Sequence, residues 1–310
     1  PNTPPPPPPP PFPTTQILGL GAARCFFRAS MVIMMSCNME MLIQRVFKGD
    51  ALAATFMLTK INTIDTFLSF WIGPIKSSFL ECFGRKAGMV YPTLVMAATR
   101  TFYTFSPSQA TYLLYRIVVQ LCASFFSGYQ SSLSDLIDPT TDTFTATTQA
   151  LDQAATVTGM VTLLAVQRFI KVPRNALFLA SACYLAAAGI VHFTVEETLQ
   201  PIDRKDMPWK RLLTNPLAPL RYFYKSKALF CFHAQDFLWD LAQGGQNAVL
   251  ATFRRQVHGW GMQESATQQF RGQVCTIVGS FGAVPTMRRL GLKGTYVWGR
   301  CLQVLQTLPA

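Results

Sequence analysis

The stretch "FLECFGRKAG", residues 79–88, places Glu81, Gly84, Arg85 and Lys86 within six positions, between two long apolar segments. Such a cluster is either a solvated loop of a soluble protein or a short cytoplasmic hinge between two membrane-spanning helices. Glycine tolerates positive φ, so Gly84 permits a tight turn. Lysine and arginine concentrate in cytoplasmic loops, which suits Arg85 and Lys86. The rest of the chain decides between the two explanations.

The composition favours a membrane protein. Half of the 310 residues are hydrophobic and only 14% are charged, against roughly 25% in soluble domains. Lysine and arginine outnumber aspartate and glutamate by 27 to 15. A basic surplus is typical of nucleic-acid binding or of loops that face an anionic cytoplasmic leaflet. The basic residues are spread over loops without interleaved aromatic residues, so we predict no nucleic-acid partner.

Nine apolar segments have about the length that a bilayer requires, roughly 20 residues each. Six precede the polar stretch 194–227 and three follow it. They cover about 24–43, 51–72, 87–105, 110–131, 146–169, 175–193, 228–253, 271–287 and 295–308. The sixth segment, "NALFLASACYLAAAGIVHF", has no polar stripe, which disfavours the alternative of a soluble helical bundle. We therefore predict an all-α, polytopic transmembrane bundle of about nine helices, integral to the membrane and multi-pass.

The domain organisation follows from these segments. The predicted units are a Pro-rich disordered tail (1–16), a six-helix transmembrane half (17–193), a cytoplasmic basic linker (194–227) and an incomplete C-terminal transmembrane half (228–310). The eight consecutive prolines of the tail are a low-complexity segment or a polyproline II rod able to dock SH3 or WW domains. Because the first residue is Pro rather than Met, we expect the chain to be a fragment.

The lysine and arginine bias sets the expected orientation. With Arg85 and Lys86 inside, alternation also places the basic linker inside. Arg24 and Arg28 are expected on the cytoplasmic flank of the first span, and Arg100 is expected on the opposite side.

The opening stretch resembles the G-x-x-x-D-R-x-G-R-K signature of the major facilitator superfamily, found between helices two and three. The aligned residues are Ser77, Glu81, Cys82, Gly84, Arg85 and Lys86. Gly-Arg-Lys is intact, the acid is Glu in place of Asp, and Ser and Cys replace the leading Gly and the first Arg.

Other stretches support the resemblance. Arg116 and Gln120 are similar to the R-x-x-Q-G signature of the fourth helix, and Asp135 stands where a cytoplasmic acid often closes that helix. "VEETLQP" at 195–201 resembles the exit from helix six, and "MRRLGLKG" at 287–294 resembles a second copy of the hinge. The similarity is greatest to tetracycline-resistance and drug-transporter branches. The resemblance implies that helices ten to twelve are missing, so we expect the chain to be C-terminally truncated.

The resemblance implies secondary transport of a small solute by alternating access, driven by a proton or solute gradient. The hinge would then be a gate in which Glu81 and Arg85 form a charge pair and Asp135 is the third member. The alternative for Arg85 and Lys86 is that they fix topology only. The alternative for the whole chain is a non-transporting or degenerate relative of these transporters.

Charged and polar residues inside the spans are the remaining candidates for a solute or proton pathway, because a charge in the membrane is costly. One helical face of the seventh segment carries His233, Asp236, Asp240, Gln243 and Asn247. On the second and fourth segments, Asp65 and Arg116 are predicted to form a buried pair, with Gln120 on the same face as Arg116. Asp152 is the candidate on the fifth segment.

We predict neither an enzyme nor a cofactor site. The sequence contains no Gly-rich phosphate loop or dinucleotide pattern. It also lacks a CxxC pair and any Cys/His cluster with zinc spacing, so no metal site is expected. The expected partners are the lipid bilayer, a small solute and protons.

The orientation can be tested by labelling cysteines in sealed vesicles. Cys82 precedes Gly84 in the hinge, so a membrane-impermeant thiol reagent should label it from the cytoplasmic side only. Labelling of Cys82 from the outside would contradict the orientation.

Overall fold

The computed structural model describes residues 13–122 and 124–200, and scattered residues between 226 and 299. No strand occurs in this described part of the chain, and the predicted all-α class is confirmed. Residues 201–225 of the predicted basic linker (194–227) and most of the three predicted spans beyond it lie outside the described residues. The count of nine helices therefore stays a prediction.

Seven α-helices succeed one another between Thr14 and Thr194. Their bounds are α1 Thr14–Met41, α2 Ala51–Phe83, α3 Arg85–Phe105, α4 Gln109–Cys122, α5 Phe125–Leu136, α6 Asp142–Phe169 and α7 Pro173–Thr194. A π-helical turn, Leu42–Val46, prolongs α1. Since α4 and α5 share the fourth predicted segment, the helices match the six segments expected before residue 194. The first begins at Thr14 rather than near residue 24, which extends it into the predicted tail.

Local sequence signals account for several helix starts. The Asp50 carboxylate accepts a hydrogen bond from the Ala53 amide at 2.9 Å and caps α2. The Thr141 hydroxyl accepts one from the Phe144 amide at 3.3 Å and caps α6. Pro173 is the first residue of α7, where its missing N–H costs nothing.

The chain is an integral, multi-pass membrane protein. Among the described residues, three helical stretches are long and apolar enough to cross a bilayer by length and composition: Thr14–Val46, Gln109–Leu136 and Pro173–Thr194. Large apolar side chains also point outward from the bundle, for example Phe193 with 86% of its surface exposed and Phe169 with 80%. Such a surface is stable against lipid rather than water.

The core lies around α1, which packs against α6 and α7, while α3 packs against α4, α5 and α7. Small residues permit the closest approaches. A Cβ at Gly19 would meet the Thr194 side chain, and one at Gly21 would meet Leu151. Close approach of helices through small residues is how membrane bundles gain van der Waals contact.

Pro92 inside α3 explains a contact with the break between α4 and α5. Proline has no N–H, so the carbonyl of Gly88, four residues earlier, loses its usual helical donor. The Ser124 hydroxyl donates a hydrogen bond to that carbonyl at 2.7 Å. A backbone group freed in the membrane is thus satisfied by a side chain of a neighbouring helix.

Arg100 is 1% exposed and lies inside α3, not in an outer loop as the charge bias led us to expect. Its guanidinium donates to the Tyr115 hydroxyl at 2.8 Å, to the Ser30 hydroxyl at 2.6 Å and to the Met34 sulfur at 3.3 Å. It also lies 4.3 Å from the centroid of the Tyr184 ring. One buried cation therefore joins α1, α3, α4 and α7 without a salt bridge to a carboxylate in the described part of the chain.

Replacing this cation should weaken the bundle. Arg100→Ala leaves a cavity and removes three donors, so the free energy of unfolding should fall by about 3 kcal/mol. Denaturant titration in detergent micelles measures the change. Arg168→Ala, at an exposed site on α6, is the control and should stay within about 0.5 kcal/mol of wild type. Equal losses for the two variants would contradict the structural role of Arg100.

Candidate functional site

The turn between α2 and α3 is made possible by Gly84. Its φ of +101° is strained for any residue with a side chain. A Cβ at this position would also run into the Glu197 carboxylate. Glycine is therefore required at position 84 for two reasons. It adopts the backbone conformation without strain, and it leaves the space that Glu197 occupies.

Glu197 caps the N-terminus of α3 from the segment that follows α7. One carboxylate oxygen accepts from the Arg85 amide at 2.8 Å and from the Leu199 amide at 3.1 Å. The other oxygen accepts from the Lys86 amide at 3.2 Å. The first amides of a helix lack intrahelical acceptors and carry the positive end of its dipole, so a carboxylate is well placed there.

Arg85 links this cap to the end of α5. Its Nε lies 3.5 Å from an Asp135 carboxylate oxygen, which also accepts from the Thr198 hydroxyl at 2.8 Å. The α2–α3 turn, the end of α5 and the segment after α7 thus meet at one place. We call this joint, formed by Gly84, Arg85, Asp135 and Glu197, the hinge cluster.

The other predicted hinge residues lie beside this cluster. Glu81 is partly buried in the last turn of α2. Lys86 lines a hollow of about 240 Å³ together with Tyr91 and His192. The side chain of Ser77 lies outside the described residues.

Sequence reasoning did not select Glu197 as a site residue. It belongs to "VEETLQP", which carries two adjacent acids with different partners. Glu196 accepts a hydrogen bond from the Gln16 side chain at 3.3 Å, whereas Glu197 caps α3. The only sequence signal for the cap is an acid just after the sixth span, and it does not show which acid turns inward.

Asp65 of α2 and Arg116 of α4 form a buried ion pair. The Arg116 Nε donates to the Asp65 carboxylate at 2.8 Å, and its Nη2 contacts the same oxygen. Nη2 also donates to the Asn62 side chain at 3.0 Å. The structure thus brings together the two residues that the sequence predicts to pair, and adds a second acceptor from α2.

This pair extends towards α1. The Tyr112 hydroxyl lies 3.5 Å from Nη1 of Arg116 and accepts from the Asn38 amide group at 2.9 Å. Gln120 is partly buried one turn further along α4. Asn38, Tyr112, Arg116, Asn62 and Asp65 therefore form one connected network between α1, α2 and α4.

Asp152 of α6 pairs with Arg24 of α1. The Arg24 Nε donates to a carboxylate oxygen at 3.2 Å, and 41% of the Asp152 side chain is exposed against 15% for Arg24. Arg24 and Arg28 were expected on the flank of the first span. Both lie within α1 instead, because the helix starts at Thr14.

The predicted polar face of the seventh segment, with His233, Asp236, Asp240, Gln243 and Asn247, lies outside the described residues and stays a prediction. No group of three or more His, Cys, Asp or Glu side chains suited to a metal ion occurs in the described part of the chain.

Comparison of the sequence with protein-family models and with curated proteins finds no match. The fold, in contrast, is similar to those of solved transporters. The human organic anion transporter MFSD10 (TETRAN) superimposes with a TM-score of 0.66 at 13% identity, over 93% of this chain and 73% of the transporter.

Two structures of a mutant of the peptide transporter POT are also similar. The complex with alafosfalin gives a TM-score of 0.52 at 13% identity over 77% of this chain, and the complex with sulfate gives 0.51 at 16% over 88%. The chain spans 51% of the length of each POT chain. At these identities the likeness is one of fold: the chain has the fold of major facilitator transporters. The neighbours are transporters rather than enzymes.

The two adjacent acids after α7 provide a matched test of the hinge cluster. Glu197→Gln removes the charge that faces the first amides of α3, so those amides should open more easily, by about 1–2 kcal/mol. Hydrogen exchange at Arg85 and Lys86 should then be about tenfold faster. Glu196→Gln should leave these amides unchanged. Equal exchange in the two variants would contradict the capping role of Glu197.

Proposed function

We propose that the chain is a secondary active transporter that moves a small solute across the membrane by alternating access. The observation that carries the proposal is the fold, which is similar to that of MFSD10 over 93% of this chain. Folds of this type move one helical half against the other around a site between them.

The hinge cluster supports the proposal as a gate. Arg85–Asp135 is a single ion pair at the end of the bundle, with side chains 17% and 31% exposed. The pair makes a single contact of 3.5 Å, and its Asp135 side chain is in contact with water. Such a pair is worth only about 1 kcal/mol, so it can open and reform during a transport cycle. Within the gate, Gly84 and Glu197 supply the turn and its cap, while Ser77, Glu81 and Lys86 stay proposed members.

The buried polar residues of the bundle are the proposed pathway. Asp65, Arg116, Gln120 and Asp152 belong to the described helices, and His233, Asp236, Asp240, Gln243 and Asn247 would complete the pathway from the C-terminal half. A proton-titrating group is expected among the latter. The fold neighbours transport different solutes, an organic anion in one case and peptides in the other, so the fold does not select the substrate.

Flux in sealed proteoliposomes tests the function. The longest available form of the protein should move at least one member of a panel of labelled carboxylates, amines, sugars and dipeptides, or protons followed by an internal pH dye. Asp135→Asn should lower that flux about fivefold, because Arg85 loses its partner at a cost of about 1 kcal/mol.

Asp138→Asn is the matched control. Asp138 lies three residues further on, in the exposed turn before α6, where it accepts hydrogen bonds from Thr140. Its replacement should leave flux unchanged. If the wild type inserts correctly and moves neither solute nor protons, the chain is a non-transporting relative and the proposal fails.

A further inference from the structure

Arg24 has unused hydrogen-bond donors inside the bundle. Only its Nε bonds to Asp152, and its Nη1 and Nη2 groups make no hydrogen bond within the described part of the chain. The guanidinium lies 4.4 Å from the centroid of the Phe126 ring and 5.4 Å from that of Tyr129. Two aromatic faces thus hold in place the forked end that arginine uses to bind carboxylates.

Two buried hydroxyls also have no hydrogen-bond partner in the described part of the chain. One is the Tyr129 hydroxyl, on a residue that is fully buried. It lies close enough to Arg24 and Asp152 to interact electrostatically with both. The other is the Thr148 hydroxyl, one helical turn before Asp152 on the same face of α6. Buried polar atoms in native structures are almost always hydrogen-bonded, so both hydroxyls are available to donate to a ligand.

We propose that Arg24, Tyr129 and Thr148 form a binding site for the carboxylate of a small organic anion, with the apolar body of the anion against Phe126. Phe126 is 47% exposed, so it offers an apolar surface beside the guanidinium. Arg28, one turn further along α1, adds a second positive charge within electrostatic range of Arg24 and Asp152. This assignment names the substrate class for the proposed transporter and rests on that function.

Asp152 acts as an internal competitor at this site. It contacts Arg24 through one Nε bond of 3.2 Å, rather than through the forked end. An incoming carboxylate can therefore take the two Nη groups without first displacing Asp152. The two carboxylates still repel each other, so neutralising Asp152 should strengthen the binding of the anion.

Binding of benzoate to the purified full-length chain in lipid nanodiscs tests the site. A ligand that binds the folded state raises the melting temperature, which gives an apparent Kd. Benzoate should raise the melting temperature, whereas benzyl alcohol and inorganic phosphate at the same ionic strength should not.

Arg24→Lys should weaken benzoate binding at least about tenfold, because lysine lacks the fork. Asp152→Asn should tighten it about threefold or more by removing the repulsion. Arg168→Lys, at an exposed site, should bind as wild type.

If the Arg24–Asp152 pair had only a structural role, Arg24→Lys and Asp152→Asn would both lower the melting temperature. They would not shift the apparent Kd for benzoate in opposite directions. That result, the absence of any benzoate effect on the wild type, or equal shifts with benzyl alcohol or phosphate would overturn the proposal. The assay needs no gradient, so it separates the two proposals. Benzoate binding without flux retains the site and rejects transport, whereas flux without benzoate binding retains transport and rejects the site.

Discussion

A charge buried in an apolar helical bundle must find a partner inside the protein, and the packing of the described helices α1 to α7 follows this constraint. Leaving one member of a buried pair alone costs about 3–5 kcal/mol. Asp65 of α2 and Arg116 of α4 satisfy each other in the bundle, and the pair has two further neutral partners, Asn62 and Tyr112. Arg100 satisfies the same constraint with hydroxyls, a sulfur and aromatic rings. The contacts of Asp65 with Arg116 and those of Arg100 join different helices. The pairing of buried charges therefore also determines which helices are neighbours.

Backbone groups obey the same rule. Where Pro92 removes a helical hydrogen bond, Ser124 donates to the orphaned Gly88 carbonyl. Where α3 begins, Glu197 accepts from the first amides. Both devices use a residue from another segment to complete a helix, which ties the hinge to the rest of the bundle. The proposed gate therefore lies at the start of α3, where the helix is completed by a residue that is distant in the sequence.

The sequence predicted the elements that depend on hydropathy alone. Six apolar segments before residue 194 correspond to helices, because length and apolarity suffice to identify a span. The contact between Asp65 and Arg116 could also be predicted from the sequence, since two opposite charges inside separate spans are expected to pair. Arg100 was misplaced because an arginine near the end of a span is normally attributed to a loop, and its hydroxyl partners carry no charge pattern that a sequence reveals.

Arg24 and Glu197 escaped prediction for different reasons. Arg24 was assigned to a flank because the first span was started at residue 24, whereas α1 begins at Thr14, directly after Pro13. Glu197 depends on how a loop acid folds back on a helix more than one hundred positions earlier in the chain, which no local pattern encodes. The sequence showed which residues are charged or polar. It did not show which residues, distant in the sequence, they contact.

The most direct test of the central claim is a double-mutant cycle on Asp65→Asn and Arg116→Gln, with the free energy of unfolding measured in detergent micelles. If buried charges hold the helices together by pairing, each single variant should be strongly destabilised. The loss of unfolding free energy in the double variant should be smaller than the sum of the two single losses, by a coupling energy of about 2 kcal/mol. Additive losses, within about 0.5 kcal/mol, would show that the two side chains act independently and would contradict the account.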